Sequence, residues 1–509
     1  MTDDVEYWIQ EIEDKGKTSL AESLRDASIE KLTNEAFMEG LKKGYPNMEP
    51  HLDALQEDIN AQNENQPAKF PIEEYQAQTK TRKAQAYADW LIEEEVIRPV
   101  VIDGKTLFYN YDKDRKVWNQ LDFEMIMKLP HRHLGGEFTR HFILQFKKSF
   151  RNHHKFMKYE EMGLEPEEAL MENGKILDLE KKSFRPAMKE DKALNCIRAV
   201  YQKGVEPDGI KDFLERTIDT EEGLKTLQEY LGYVLTWPES KYEKALLILG
   251  DTDTGKSTLL EVLEKFFEDS ETSNLAFPDI GMERAFHVEE LKDAVINLDH
   301  DMDDKEISSY SRIKKAISNN KMHADPKGEK GFKFRPRARF IIASNDSPDD
   351  SGSGEAFYNR FLTIQANTRV PEEEKDRQLV ERLCSERNLS WLLKWSVEGL
   401  ERLREQNRFT GERSEYETKK LWDKFGSSTQ RFIHDQIHAS REEGRNIPTT
   451  DLYETYELWC EEQLEEALPQ RQFISQVASH PDIVKRETEA YTGARRSCFI
   501  NIEVKGYAV

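Results

Sequence analysis

"LLILGDTDTGKSTLLEVLEKFF", residues 246–267, decides how the middle of the chain folds. Four apolar residues run into Gly250, four polar residues lead to Gly255, and Lys256-Ser257-Thr258 opens an amphipathic run. The apolar run reads as a strand and the amphipathic one as a helix. Residues Gly250, Asp251, Thr252, Asp253, Thr254, Gly255, Lys256 and Ser257 match the phosphate-loop pattern G-x-x-x-x-G-K-[ST] in full. The glycines allow a tight turn whose N–H groups face phosphate oxygens, and the helix after it presents its positive end to them. Residues 250–258 are therefore expected to bind a nucleotide. Lys256 would contact the β- and γ-phosphates, and Ser257 would hold Mg²⁺.

The loop sits in an acidic chain. The 509 residues carry 98 acids against 74 bases, a net charge of −24, which argues against non-specific coating of nucleic acid. A local basic channel stays compatible with that total, because binding depends on where the cations lie. Four scattered cysteines, Cys196, Cys384, Cys460 and Cys498, suggest neither a disulfide framework nor a zinc site and fit a reducing cytosol. The opening "MTDDVEYWIQ" lacks the basic and apolar regions of a signal peptide, and no apolar run is long enough to span a bilayer. The expected location is the cytoplasm, with no membrane partner.

Working outward, the runs "ALLILG", "AVINLD", "RFIIASN" and "RFLTIQ" alternate with helical segments over residues 226–405. That alternation predicts a parallel sheet flanked by helices. Residues 1–75, with 18 acids and 7 bases, read as an acidic helical segment that ends in the linker "NAQNENQPAKFP". Residues 76–225 read as a mixed α/β module. It holds a helix at "AQAYADWLIEEEVI", a hairpin in "PVVIDGKTLFYNYDKDRKVWNQL" and two short strands turning at Asn173-Gly174. Residues 415–509 read as three helices followed by a hairpin, the order of a winged helix.

Three further stations follow the loop. "AVINLDHDMDD" (294–304) is a strand ending in acids, where a phosphate-loop enzyme needs a magnesium contact and a water-orienting carboxylate; Asp299 and Asp301 are the candidates. "RFIIASNDSPD" (339–349) ends in Ser344-Asn345, an amide able to bond both a γ-phosphate and an attacking water; Asn as a simple turn residue is the plainer alternative. "EAFYNRFLTIQ" (355–365) carries Arg360, anchored by Phe357, Phe361 and Leu362. It is either an arginine finger acting on a neighbour's nucleotide or a surface ion-pairing arginine. Between the second and third stations, "KMHADPKGEKGFKFRPRARF" (321–340) reads as a hairpin with Lys327 and Lys330 at its tip. Lys333, Arg335, Arg337 and Arg339 alternate along one strand, so they are expected on one face. Such a hairpin can grip a phosphate backbone, or be an ordinary solvated one.

In this order, "GDTDTGKST", "INLDHD", "DPKGEKGFKFRP", "IIASND" and "AFYNRF" make residues 150–509 resemble the helicase half of phage, plasmid and poxvirus-type primase-helicases, a group of superfamily 3 helicases. "NGKILDLEKKSFRP", "CIRAVYQKG" and "LQEYLGYVLT" resemble the module that precedes that helicase. "LYETYELWCEE", "FISQV" and "SCFINI" resemble its winged-helix cap. The resemblance implies an α/β fold with an AAA+-like core (226–405), a preceding module (76–225) and a winged-helix domain (415–509). It implies a homo-hexameric ring that uses ATP and Mg²⁺ to translocate on single-stranded DNA and open forked duplex in viral or plasmid replication. Lys256 and Ser257 would bind nucleotide and metal, and Asp299 would join Ser257 at the metal. Asp299 and Asp301 would share the acidic motif, Asn345 would be the sensor and Arg360 the finger. Lys327, Lys330 and Lys333 would touch DNA, as would Arg495 and Arg496 beside the wing. Two departures stand out: His300 interrupts the acidic pair, and Asn359-Arg360 replaces a pair of arginines.

Priming by this chain is not expected, since Asp112-Lys113-Asp114 reads as a turn and the acidic segment before it is short; a separate primase or polymerase would act as partner. His131, His133, His141, His153 and His154 lack the spacing of a metal site. Two other functions remain: a DNA-binding ATPase that initiates or loads without processive unwinding, and a binding factor with a decayed ATPase.

Overall fold

The computed structural model describes Leu20, Leu24, 41–48, Leu52, 80–94, 97–122, 125–126, 128–129, 140–151, His153, 155–237, 241–268, 271–282, 287–302, 309–326, 331–348, 355–439, 446–463, 467–479, 483–489, 495–500 and 502–505. The acidic helical segment expected over 1–75 lies almost wholly outside these residues. The chain divides into two compact units, one of residues 1–99, 108–113 and 120–156, the other of 100–107, 114–119 and 157–509.

In the first unit, α1 (Lys80–Glu93) and α2 (Arg140–Arg151) carry the core. Ala84, Tyr87, Ala88 and Leu91 recur at helical spacing and are buried. Tyr87 meets Phe146 with ring centroids 5.4 Å apart. Strands β1 (Arg98–Ile102), β2 (Lys105–Asp112) and β3 (Val117–Leu121) replace the single hairpin expected there. Asp112-Lys113-Asp114 leads into the turn between β2 and β3, as the sequence implied.

In the second unit, β1 runs parallel to β4 (Met157–Lys158), with Val100 opposite Met157. Strands β5 (Glu168–Leu170), β6 (Lys175–Asp178) and β7 (Phe184–Pro186) form an antiparallel meander, one strand more than expected; Gly174 turns it at φ +70°. Helices α3 (Ile210–Thr217) and α4 (Glu221–Leu235) follow.

Next comes a five-stranded parallel sheet of β8 (Ala245–Leu249), β9 (Thr272–Ser273), β10 (Ile296–Asp299), β13 (Arg339–Ser344) and β14 (Phe361–Gln365). Its spatial order is β14-β8-β13-β10-β9, and every pairing is parallel. All five residues of β8 are buried, because helices cover both faces of a parallel sheet and leave no polar side. The four strands expected from apolar runs are the four longest; β9 is an addition.

Helix α5 (Lys256–Phe267) leaves β8, α6 (Phe277–Ile280) precedes β10, and α7 (Tyr310–Ile317) leads to the small hairpin β11 (Met322–Ala324) and β12 (Phe332–Phe334). After α8 (Leu379–Leu383), the long α9 (Glu386–Gln406) lies against α4. A Cβ on Gly232 would sit 2.5 Å from the Ser396 carbonyl oxygen, so the two backbones approach where only glycine fits. Glu229, fully buried in that contact, accepts from Arg402 Nε at 2.6 Å and from the Thr410 backbone at 2.7 Å.

The C-terminal part holds α10 (Glu415–Trp422), α11 (Ser428–Gln436), β15 (Ile437–Ala439), β16 (Asn446–Pro448), α12 (Thr449–Gln463), α13 (Gln470–Ser479), β17 (Val484–Glu489), β18 (Arg495–Ile500) and β19 (Ile502–Val504). The order helix, short strands, two helices, strand pair surrounds a core of Phe432, Tyr456, Phe473 and Phe499. Strand β15 pairs antiparallel with β19, Ile437 opposite Val504. Among the described residues, no helix is long and apolar enough to cross a membrane.

Candidate functional site

The carboxyl edge of the parallel sheet collects three of the four stations. Leu249 pairs with Ser344 and Asp299 with Ile342, so Gly250, Asn345 and the acids after β10 emerge at one edge. Ligands of open α/β sheets bind at this edge.

The loop turns where glycine is obligatory. A Cβ on Gly250 would lie 1.9 Å from the Ala366 carbonyl oxygen. Gly255, at φ +91°, precedes the first turn of α5, and a Cβ there would meet Thr217 Oγ1 at 2.8 Å. Lys256 is buried, and its ammonium donates to Gly250 O at 2.7 Å, Asp251 O at 2.6 Å and Asn345 Oδ1 at 3.0 Å. Burial holds its pKa below the usual lysine value, while Asp251, Asp301 and Asp253 pull it back up. Thr254 is buried and donates to Asp251 O at 3.0 Å. Asp251, Thr252, Asp253 and Ser257 are exposed, and Thr258 is half-buried.

The two acids of the second station have different surroundings. Asp299 is buried at the end of β10 and accepts from the Phe277 backbone N–H at 2.7 Å, at the start of α6. Asp301 is exposed, and its charge acts on Lys256. His300 between them is half-exposed. Asn345, exposed past the end of β13, meets Lys256 directly, so the first and third stations touch.

Arg360 lies elsewhere. It ends the 3-10 turn Glu355–Arg360 and precedes β14, at the amino edge of the sheet. Phe357, Phe361 and Leu362 are buried around it, as expected. Its Nη1 pairs with Glu243 Oε2 at 2.8 Å, and the side chain is half-buried.

The basic hairpin is partly corrected. β11 and β12 pair antiparallel, with His323 opposite Lys333, and Lys333 and Arg335 are exposed. Lys327 and Lys330 lie outside the described residues. Arg337 and Arg339 do not join the exposed face. Arg337 is buried, donates to Met162 O at 3.1 Å and stacks over the rings of Tyr159 and Trp237 at 4.4 and 5.1 Å. Arg339 is buried over the Tyr233 ring at 4.4 Å. The alternation fails because Pro336 cannot extend a strand ladder: β12 ends at Phe334 and β13 starts at Arg339. Arg495 and Arg496 open β18 opposite Glu489 and Thr488; Arg496 is exposed.

Sequence reasoning missed the segment after β14. Arg369 Nη2 lies 3.5 Å from Asp251 Oδ2, Lys375 Nζ lies 3.0 Å from Asp253 Oδ1, and the Val370 N–H donates to Asp253 O at 2.7 Å. No local pattern marks these cations, which sit in "RVPEEEKD" (369–376). Of the histidine group, His141 is exposed, His153 is buried near Asp89, and His131, His133 and His154 lie outside the described residues. Among the described residues, no group of three or more His, Cys, Asp or Glu is placed to hold a metal ion.

Residues 248–360 match a family of unknown function, DUF5906. A search of curated proteins gives no match. Among solved structures, the chain is similar to apo structures of the C-terminal region of NrS-1. One, spanning 305–718 in its own numbering, has 14% identity and a TM-score of 0.41, covering 82% of this chain and 100% of that one. A second, like the first an A form, has 14% identity and a TM-score of 0.40, covering 81% and 98%.

Proposed function

We propose that this chain is an ATP-hydrolysing DNA motor of viral or plasmid replication, a superfamily 3-type helicase working as a homo-hexameric ring. The observation that carries the reading is the contact of Lys256 Nζ with Asn345 Oδ1 at 3.0 Å, at the carboxyl edge of a parallel sheet and beside an acid-ended strand. A lysine opening a helix after a glycine loop, joined to an amide from a neighbouring strand, suits a triphosphate whose terminal group is held and sensed. The sheet order, in chain sequence 5-1-4-3-2, supports an AAA+-like core. The C-terminal succession of elements supports a winged helix.

In this reading Lys256 and the loop N–H groups bind the phosphates. Ser257 and Asp299 would hold Mg²⁺; such a site needs one or two protein oxygens beside water and phosphate, which an exposed hydroxyl and a strand-end carboxylate can supply. Mg²⁺ supplies charge neutralisation on the transferring phosphoryl group. Asp301, facing solvent, is better placed than Asp299 to orient a water, because Asp299 is already engaged by the Phe277 backbone. Asn345 positions that water and the γ-phosphate. Arg360 acts on the neighbouring subunit's site. Lys327, Lys330 and Lys333 would touch single-stranded DNA, and Arg495 and Arg496 forked duplex.

The test is ATP-dependent displacement of a tailed DNA duplex, with turnover recorded with and without single-stranded DNA and Lys256→Ala as control. Displacement lost in the variant is the expected result. Turnover without displacement makes the protein an initiator or loader; nucleotide binding without turnover makes it a binding factor.

A further inference from the structure

The phosphate-loop sequence has an electrostatic difficulty. Residues 250–257 carry two carboxylates, Asp251 and Asp253, against the single ammonium of Lys256. By its side chains alone this loop is net negative, and a nucleoside triphosphate brings several more negative charges to it. Loop N–H groups and a helix end offset only part of that repulsion.

The segment after β14 supplies the missing cations. It is fixed along the loop by two backbone bonds, Ala366 N to Leu249 O at 2.8 Å and Val370 N to Asp253 O at 2.7 Å. The close approach of Ala366 O to Gly250 belongs to the same contact. At its far end Glu374 pairs with Arg216 of α3 at 2.7 Å, one residue before the Thr217 that packs on Gly255. Along this segment Arg369 reaches Asp251, and Lys375 reaches both Asp253 and, at 2.6 Å, Glu372. Both pairs are largely exposed, at 65% and 68% for Arg369 and Asp251 and 37% and 54% for Lys375 and Asp253. Exposed pairs of this kind contribute little and exchange partners readily. A phosphate is a stronger partner than a solvated carboxylate, above all for arginine, whose fork bonds two of its oxygens.

We propose that Arg369 and Lys375 belong to the nucleotide site: Asp251 and Asp253 hold the two cations beside the loop, and the triphosphate of a bound nucleotide takes them over. The inference rests on the nucleotide-binding reading above and adds two phosphate contacts, made within the same subunit, that the motif does not contain.

The experiment is titration of the full chain with a fluorescent N-methylanthraniloyl ATP and the matching ADP, with Mg²⁺. Wild type, Lys256→Ala, Arg369→Ala, Lys375→Ala and the double variant Asp251→Asn/Asp253→Asn are compared. Each cation variant is expected to weaken ATP by about tenfold, the worth of one charge-assisted hydrogen bond. The carboxylate double variant is expected to bind ATP more tightly than wild type, because the loop carboxylates that compete for the cations are gone and only Glu372, 2.6 Å from Lys375 Nζ, still does. If the ion pairs only brace the loop, removing either side does the same damage; equal weakening in the carboxylate and cation variants overturns the proposal. So does unchanged affinity in Arg369→Ala and Lys375→Ala where Lys256→Ala abolishes binding, a result that leaves the nucleotide reading standing. No binding by wild type overturns both.

Discussion

Arg360 and the phosphate loop of one chain cannot serve the same nucleotide, and this makes a quantitative prediction. Strands β14 and β8 run parallel from Phe361 opposite Ala245 to Gln365 opposite Leu249. Arg360 thus stands level with Lys244, and Gly250 lies six residues further along. At about 3.3 Å per residue the separation is about 20 Å, beyond the reach of one side chain. In Arg360→Ala, turnover is expected to fall about 10³-fold, the lower end for loss of an arginine finger, with affinity for the fluorescent ATP unchanged. Mixing supplies the decisive assay. Arg360→Ala subunits keep an intact loop, whereas Lys256→Ala subunits keep an intact arginine. In an equal, random mixture within head-to-tail rings, about a quarter of all sites pair a good loop with a good neighbouring arginine, so about a quarter of wild-type turnover should return. Two inactive proteins that stay inactive when mixed, under conditions where subunits exchange, would refute the reasoning. Full activity in Arg360→Ala alone would reduce the residue to its ion pair with Glu243.

The other predictions separate DNA contact, packing and buried charge. Charge removal at Lys327, Lys330 and Lys333 should weaken single-stranded DNA binding and flatten its salt dependence by about one unit per lysine, with thermal stability unchanged. Arg337→Ala should instead lower stability by about 2–4 kcal/mol, read by urea unfolding, because its buried bond to Met162 and its stacking on two rings are lost. Gly232→Ala should cost about 1–3 kcal/mol by the same measurement, since the new methyl meets the α9 backbone at 2.5 Å. Arg115 pairs with the buried Glu271, whose carboxyl burial pushes well above the usual range. Arg115→Met should cost about 3 kcal/mol at neutral pH, and adding Glu271→Gln should recover much of it. A carboxyl with a raised folded pKa favours the folded state at low pH and loses that contribution as pH rises through it, so the Arg115→Met deficit should shrink as the pH is lowered.

What could be read from the sequence depended on whether the cause was local. The runs at 245–249, 296–299, 339–344 and 361–365 announced themselves because strands buried on both faces must be apolar throughout. Thr272–Ser273, two polar residues at the sheet edge, carry no such mark; they pair with β10 by backbone and by the Ser273 hydroxyl, which donates to Asn297 Oδ1 at 2.9 Å. The loop was legible because its conformation needs glycine at fixed positions, and Asn345 because it ends a legible strand. Arg337 and Arg339 were misread by extending a period of two across Pro336, where the ladder stops. Nothing near Arg369 or Lys375 foretold a role, because their proximity to Asp251 and Asp253 arises only when β14 pairs beside β8. A motif of this kind encodes backbone geometry and leaves the surrounding charge to tertiary contacts. In a chain of net charge −24, a loop bearing two aspartates is poorly suited to phosphate on its own. The fold sets Arg369 and Lys375 against those aspartates, and on the proposed nucleotide reading these cations would supply charge that the motif lacks.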